Sequence, residues 1–308
     1  MALAQLVEVS TEPKPPKTRA MVWIEGIPFI LLHFVPLLVL LPGIEVRPID
    51  WVVCVGLYLV RMFAVTGAYH RYFAHRTYKT SRAMQFFLAV LAQTSTQKGA
   101  LWWAAHHRHH HKFSDMPEDV HSPRQRGFLY SHVGWMWDNT DATDYSKVKD
   151  LTKFPELVFL NKAWWLPPLA LGFGVFLALG WSGLLIGFGL STVLLWHGTF
   201  TINSLTHVWG KRVYETNDDS RNNVWLALIT LGEGWHNNHH YYQASTRQGF
   251  LWWQIDVTYY VLKIMSWVGL VWDLREPPQE VIDGTWSPRQ RATAPSKTEP
   301  SETPARAA

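Results

Sequence analysis

The sequence predicts an all-α membrane protein with four transmembrane helices in two hairpins and a cytosolic helical cap. Of the 308 residues, 48% are hydrophobic and 18 are tryptophan, a residue enriched at lipid–water interfaces. Long apolar stretches alternate with segments rich in His, Arg, Lys and Asp. The histidines cluster close to the ends of the apolar stretches. These observations indicate a membrane-embedded half and a polar half that carries the chemistry.

Four apolar stretches approach the length of about 20 residues that a helix needs to cross a bilayer. They cover residues 21–41, 51–68, 163–180 and 184–203. Short turns at 43–50 and 180–183 join them into two hairpins. Most Lys and Arg residues lie outside these turns, so the positive-inside rule predicts a multi-pass protein with both termini and the active site in the cytoplasm.

One domain accounts for most of the chain. It is predicted to cover residues 21–285, with the cytosolic cap formed by 69–162 and 204–285. Residues 1–20 lack the apolar core of a signal peptide and are expected to form a cytosolic N-terminal segment. Residues 286–308 are rich in Pro, Ser, Thr and Ala and are predicted to be disordered.

Composition restricts the kinds of cofactor. Cys54 is the only cysteine, which excludes an intrachain disulfide, a cysteine-held iron–sulfur cluster and a cysteine-based zinc site. Any metal must therefore be held by nitrogen and oxygen ligands. The net charge of +4 suits an anionic membrane surface, an acidic electron donor or a phosphate-bearing substrate, and it does not choose among them.

Histidines recur in patterns that favour metal binding. Two segments have the pattern H-x2-HH, which places three imidazoles on one face of a helix. A third has H-x4-H, and Asn203 pairs with a histidine four residues later. The histidines in these patterns are His70, His75, His107, His110, His111, His207, His236, His239 and His240. Nine imidazoles and one amide are too many for one metal ion, so two are predicted.

Other histidines in the sequence are weaker candidates for metal ligands. His33, His132 and His197 stand alone in the sequence and are not expected to bind metal. The run HHRHHH also contains H-x2-HH one residue out of register, as His106, His109 and His110. Spacing alone leaves this choice of register open.

The motifs resemble a known family. HRYFAHRTY, HRHHHKFSD with a later SHVGWM, NSLTHVWG and GEGWHNNHH are similar to the histidine boxes of the stearoyl-CoA (acyl-CoA delta-9) desaturase family, in the same order, from about 51 to 274. The resemblance implies a four-helix membrane stem, two iron ions (Fe2+/Fe3+) held by the nine histidines, and a water on Asn203. It also implies the register His107, His110 and His111, with no role for His106 or His109.

The resemblance implies a dioxygen-dependent fatty acyl desaturase that inserts a cis double bond into a saturated long-chain acyl group, with acyl-CoA at delta-9 as the expected substrate. An acyl-lipid substrate remains an alternative. No catalytic residue beyond the metal ligands is expected. Because no flavin or nicotinamide fingerprint is present, electrons are expected from a ferredoxin or a cytochrome b-type protein. Membrane lipid is an expected partner and nucleic acid is not.

Two other classes of function share some of these features. A related di-iron acyl or alkane hydroxylase would use a similar set of histidines. A non-catalytic haem carrier or metal transporter is the more distant alternative, because haem needs only one or two ligands and a transporter places its ligands inside the spans.

Substrate contacts are expected from several positions. By resemblance, Gln97, Trp103 and Thr199 line the bend of an acyl tunnel. Tyr58 and Cys54, on the second span, are candidates for the tunnel floor, with ordinary helix packing as the alternative.

Charged residues near the histidines also have two interpretations. Arg124 and Arg126 occupy a stretch that contacts the CoA phosphates in the resembling enzymes, and a plain surface charge is the alternative. The free N–H groups of metal-bound imidazoles need acceptors, and solvated surface is again the alternative for each candidate. The candidate acceptors are Asp115, Glu118, Asp119 and Glu233.

Overall fold

The computed structural model describes residues 19–138 and 142–286, which are largely helical. Most of the predicted N-terminal segment and of the predicted disordered tail lie outside the described residues. In chain order the α-helices are α1 (Arg19–Phe34), α2 (Pro48–Phe63), α3 (Arg82–Gln93), α4 (Ala100–Phe113), α5 (Pro123–Arg126), α6 (Phe128–His132), α7 (Pro155–Lys162), α8 (Leu166–Ser182), α9 (Ser191–Asn203), α10 (Val224–Ile229), α11 (His236–Tyr241), α12 (Val257–Trp267) and α13 (Gln279–Ile282).

Shorter elements extend or connect these helices. Strands β1 (Lys79–Thr80) and β2 (Val271–Trp272) pair antiparallel, with Lys79 opposite Trp272. The 3₁₀ segments are Val35–Leu40, Gly134–Trp137, Tyr145–Val148 and Leu205–His207, and the π-helical segments are Ala64–Ala74 and Gly183–Leu190.

Two helices among the described residues are long and apolar enough to cross a membrane. They are Pro48–Ala74, which joins α2 to its π-helical extension, and Leu166–His207, which runs from α8 through α9. Gly26–Leu40 is a shorter apolar helix. The stretches predicted at 51–68, 163–180 and 184–203 lie almost entirely within the two long helices.

The second long helix is interrupted at Gly180, whose φ of 72° is outside the helical region. After it the chain turns back on itself, so that Gly172 lies against Phe188 and Gly187 lies against Val175. Glycine suits this position because a positive φ is costly for residues with a Cβ. The predicted break at 180–183 therefore coincides with a real reversal of the chain.

The two predicted turns lie side by side. Arg47 precedes α2, and its backbone N–H donates to the Asp50 carboxylate at 2.8 Å, which caps the helix. The Arg47 guanidinium also donates to the carbonyl of Leu179 at 2.5 Å. This contact places the start of α2 next to the reversal at Gly180.

The main buried core packs the π-helical segment Ala64–Ala74 against α3, α4 and α7. Small residues such as Ala64 and Ala68 are fully buried and let the neighbouring helices approach closely. The Tyr78 hydroxyl donates to the carbonyl of Gly67 at 2.9 Å, which satisfies a backbone group of the wider helical turn. The core therefore holds rigidly the segment that carries His70.

Candidate metal centre

A first group of five histidines comes together from three parts of the chain. Their ligand atoms all lie within 4.8 Å of one another, and the members are His70, His75, His107, His111 and His239. The Nε2 atoms face each other, with separations of 2.9 Å for His75–His107, His107–His111 and His111–His239 and 3.0 Å for His70–His239. Five ring nitrogens thus converge on one point.

The π-helix explains how His70 and His75 join the same group. Residues five apart on an α-helix point about 140° away from each other, because each residue turns the helix by about 100°. In the π-helical segment the hydrogen bond closes at i+5, and the His75 N–H donates to the His70 carbonyl at 3.1 Å. The wider turn therefore brings both imidazoles to one side.

A second group adjoins the first. Its ligand atoms also lie within 4.8 Å of one another, and its members are His110, His207, His236 and His240. The Nε2 atoms of His207 and His236 are 3.1 Å apart. The ring centres of His111 and His240 are 4.5 Å apart, so the two groups share a border.

The arrangement fits metal ions and is unfavourable without them. Where Nδ1 of an imidazole donates to a carboxylate, Nε2 carries a lone pair; His110, His207 and His240 are of this kind, and their ligand atoms lie within 4.8 Å of one another, so their lone pairs repel. A cation between them removes this repulsion. Two nitrogens bound at right angles to one metal at about 2.1 Å lie about 3.0 Å apart, close to the separations observed.

Carboxylates orient four of the histidines in the described part of the chain. The Nδ1 atoms donate over 2.6–3.0 Å in the pairs His110–Asp119, His207–Asp115 and His240–Asp218, and Nδ1 of His70 lies 2.6 Å from the Glu233 carboxylate. Such contacts fix the tautomer and aim Nε2 at the metal. Three of these acceptors were predicted, whereas Glu118 contacts His109 only through its backbone carbonyl. The fourth, Asp218, was missed.

The carboxylates are ionised although they are buried. Burial acts to raise the pKa of Asp115, Asp119 and Asp218, but the hydrogen-bonded histidines keep each pKa well below its usual range. Burial acts in the same way on Glu233, and the neighbouring His70 and Arg71 lower its pKa to about 2. The result is a set of anions around the two histidine groups.

Several imidazoles are held neutral. Burial is the main reason that the pKa of His111 and of His239 lies well below the usual range, and neighbouring histidines lower it further. A neutral imidazole offers its lone pair without first losing a proton. These side chains are therefore ready to bind metal at neutral pH.

Arg71 anchors Glu233 from the side opposite His70. The buried guanidinium lies 2.9 Å from the carboxylate of Glu233 and 2.9 Å from that of Asp256. Gly232, next to Glu233, has a φ of +127°, and a Cβ on it would collide with Asp256. The glycine thus allows the close approach that this network requires.

An apolar cavity of about 1130 Å³ ends at the histidines. Its lining includes Trp103, His107 and Asn203 near the five-histidine group, and it extends past Trp196 to Phe176 beside the reversal at Gly180. The predicted tunnel residues Gln97 and Thr199 also line it, and the Gln97 amide donates to the Thr199 hydroxyl at 3.0 Å. His106 and His121, which had no predicted role, line the cavity as well.

Other predicted substrate contacts lie elsewhere. The described residues that line the cavity do not include Cys54 or Tyr58, and the Tyr58 hydroxyl donates to the carbonyl of Ile229 at 2.7 Å. Arg124 pairs with Asp219, and Arg126 contacts Asp138 and Tyr130 at the surface. Both arginines therefore already have acidic partners outside the cavity.

Comparison with known proteins points to one family. The sequence profile of the fatty acid desaturase family matches residues 49–264. The chain is 38% identical to the chloroplastic palmitoyl-monogalactosyldiacylglycerol delta-7 desaturase of Arabidopsis thaliana over 74% of the chain, and it spans 62% of that relative's length. It is 35% identical to the sn-1 stearoyl-lipid 9-desaturase of Synechocystis sp. (88% of this chain, 85% of the relative).

A further relative has a different type of substrate in its name. The acyl-CoA C20 Delta5-desaturase of Anemone leveillei is 34% identical to this chain, over 74% of each. The profile match and the extent of these alignments agree with the convergent histidines and the adjacent apolar cavity. The chain belongs to the fatty acid desaturase family.

Proposed function

We propose that this protein is a dioxygen-dependent desaturase that inserts a cis double bond into a saturated long-chain acyl group, at delta-9. The observation that carries the proposal is the apolar cavity that ends on His107, a member of the five-histidine group. An apolar space of about 1130 Å³ suits an acyl chain. The histidines at its end suit a metal centre that acts on that chain.

Two iron ions would be held by the five-histidine group and the four-histidine group, with Asn203 contributing through a water. Iron bound there supplies the dioxygen chemistry that removes hydrogen from unactivated methylene groups. The overall balance is one CH2–CH2 unit, O2, two electrons and two protons giving one CH=CH unit and two waters. A separate ferredoxin or cytochrome b-type protein supplies the electrons.

The protein's own residues position the reactants. Glu233, Asp115, Asp119 and Asp218 hold four imidazoles in one tautomer, with Nε2 directed at the metal. The aromatic lining near Trp103 and Trp196 excludes water from the acyl chain and restricts where the chain can lie. The methylene groups beside His107 are therefore the ones that react.

Expression in a host that lacks unsaturated fatty acids tests this function. Fatty-acid analysis should show a new cis double bond with the wild-type chain, and its loss with His107→Ala and with His239→Ala. The purified wild type should contain close to two irons per chain, and both variants less. A hydroxylated product would support the hydroxylase alternative, and an unchanged fatty-acid profile would contradict both.

We also propose four membrane crossings in two hairpins, with both termini and the metal centre in the cytoplasm. The reversal at Gly180 supports this topology, because Leu166–His207 would otherwise extend about 63 Å, twice the thickness of a bilayer core. The contact between Arg47 and Leu179 puts both turns at one end of the molecule. Cysteine labelling from each side of the membrane, with a cysteine introduced at Gly43 and at Glu118, tests this: labelling from the same side would contradict it.

The acyl carrier has two candidates. Acyl-CoA is the carrier expected from the sequence, but Arg124 and Arg126 already pair with acidic residues. An acyl chain on a membrane lipid is favoured by Leu169 and Phe173, which line the cavity and are 63% and 62% exposed on a helix suited to the bilayer. The cavity thus reaches a lipid-facing surface.

An assay of the purified enzyme with each acyl carrier in turn distinguishes between the two candidates. The lipid candidate predicts a product from labelled stearoyl phosphatidylcholine vesicles and none from stearoyl-CoA, with Arg124→Gln as active as wild type. A higher KM for stearoyl-CoA in Arg124→Gln would instead support the acyl-CoA carrier.

A further inference from the structure

Three histidines outside both metal groups form a hydrogen-bonded chain behind the cavity wall. His33 of α1 and His197 of α9 have their Nε2 atoms 3.0 Å apart. Nδ1 of His197 lies 3.0 Å from Nε2 of His132, and Nδ1 of His132 lies 2.9 Å from the Ser204 hydroxyl. The chain thus connects α1, α9 and the SHVGWM segment.

The direction of the hydrogen bonds in this chain of histidines follows from the contact that His33 makes. The Phe29 carbonyl lies 2.7 Å from Nδ1 of His33 and can only accept, so that nitrogen carries the proton and Nε2 of His33 accepts. His197 then donates through Nε2 and accepts at Nδ1 from Nε2 of His132, whereas the Ser204 hydroxyl near Nδ1 of His132 donates to the Phe200 carbonyl at 2.8 Å. Each of the three neutral imidazoles thus donates one of the three bonds that join Phe29, His33, His197 and His132.

The chain of three histidines packs against aromatic rings that line the cavity. The His33 ring contacts the Phe29 ring at 4.5 Å between centres, and Phe29 stacks on Trp196 at 4.9 Å. Both Phe29 and Trp196 line the cavity, whereas His33 does not. Trp196 lies seven residues before Asn203 on α9, which corresponds to about 10 Å along the helix.

The histidine contacts help to fix the position of α1. Pro28 lies inside α1 and cannot donate a backbone hydrogen bond, which weakens the helix one residue before Phe29. Much of the opposite face is exposed, as at Ile24 and Leu31. The contact of His33 with His197 is a polar connection between α1 and α9, and it stands beside the ring contacts of Phe29 with Trp196 and Phe200.

We propose that His33, His197 and His132 are positioning residues that hold the α1 wall of the cavity against α9 and thereby set the acyl-chain selectivity. The inference rests on the proposed desaturase function. This part of the wall lies about 10 Å along α9 from Asn203, so it acts on chain length and placement. It does not act on the metal.

A double-mutant cycle with His33→Leu and His197→Leu tests the inference. The measured quantity is the ratio of stearoyl-derived to palmitoyl-derived unsaturated products, together with the midpoint of thermal unfolding. His33→Leu should shift the ratio about fivefold, the equivalent of its lost hydrogen bond to His197 at about 1 kcal/mol, and His197→Leu should shift it at least as much, because it also loses the bond to His132. The double variant should shift it no further than His197→Leu alone, because that change already removes the bond between His33 and His197. Iron content should stay at the wild-type value in all three.

Two further variants serve as controls. His197→Gln keeps one donor and one acceptor, so it should stay within about twofold of the wild-type ratio. Leu31→Ala changes an exposed residue of the same helix and should leave the ratio unchanged. If His197→Leu fails to accumulate, His33→Leu with these two controls still decides the question.

Three outcomes would overturn the inference: a wild-type ratio in His33→Leu, an equal shift in Leu31→Ala, or additive effects in the cycle. Failure of the proposed function looks different. A wild type that makes no unsaturated product contradicts the desaturase, whereas the unfolding midpoints still report whether His33 and His197 are coupled.

Discussion

Asp218 offers the sharpest test of how the metal centre is built. Its Oδ2 accepts from Nδ1 of His240 at 2.6 Å, and its Oδ1 accepts from the Thr216 hydroxyl at 2.9 Å and from the Ser220 N–H at 3.1 Å. The hydrogen bonds from Thr216 and Ser220 therefore hold the Asp218 carboxylate in position independently of His240. Asp218→Asn removes the negative charge and keeps an oxygen that can accept, so it isolates the effect of the charge.

We expect Asp218→Asn to weaken iron binding in the four-histidine group by 10- to 100-fold, or about 1.4–2.7 kcal/mol, the usual range for a carboxylate behind a metal-bound histidine. Iron retained against increasing chelator, measured by mass spectrometry, reports this affinity. Asp219→Asn is a matched control, because the adjacent carboxylate pairs with Arg124 at the surface. Such exposed pairs contribute about 0–1 kcal/mol to stability and nothing to the metal.

The reasoning is refuted if Asp218→Asn retains iron like the wild type, or if Asp219→Asn loses as much. Asp218→Ala should lose at least as much iron as Asp218→Asn, since it removes the acceptor as well as the charge. We thus expect iron affinity to decrease in the order wild type, Asp219→Asn, Asp218→Asn, Asp218→Ala.

Three more predictions concern stability and substrate. Glu233→Gln leaves the buried guanidinium of Arg71 with Asp256 as its remaining carboxylate partner, so the protein should lose about 2 kcal/mol of stability, measured by thermal unfolding in detergent; an unchanged midpoint would count against the network. A Cβ on Gly172 would lie 3.3 Å from the Phe188 ring, so Gly172→Leu should narrow the cavity and shift the products towards shorter chains, whereas an unaltered gas-chromatography profile would place the acyl chain elsewhere. Removing iron with a chelator should lower the unfolding midpoint and adding Fe2+ should restore it, since a ligand that binds only the folded state stabilises it; no change on either step would argue against resident iron.

Much of the metal centre could be read from local sequence. The spacing H-x2-HH puts three imidazoles on one helical face wherever it folds as a helix, and both copies are helical here, in α4 and α11. Family membership followed from the same motifs. The apolar segments were also apparent, because helix length and hydrophobicity are local properties.

The spacing H-x4-H was less informative. On an α-helix it separates His70 and His75, and only the π-helical segment between Ala64 and Ala74 brings them together. That wider turn is stabilised by burial against other helices and by the hydrogen bond from the Tyr78 hydroxyl. No local sequence pattern therefore predicts it. Asp218 was missed for a similar reason, because it lies in an irregular loop and its contact with His240 spans 22 positions of the sequence.

The sequence by itself therefore determined which residue types could bind metal, how many there are and which segments are apolar. The tertiary structure decided how they combine: the division into five and four histidines, the carboxylate behind each of four of them, the cavity that ends at His107, and the separate chain of His33, His197 and His132. These arrangements join positions up to 169 residues apart, as between His70 and His239. Local periodicity carries no information over that distance, and only the packing of the helices brings such residues into contact.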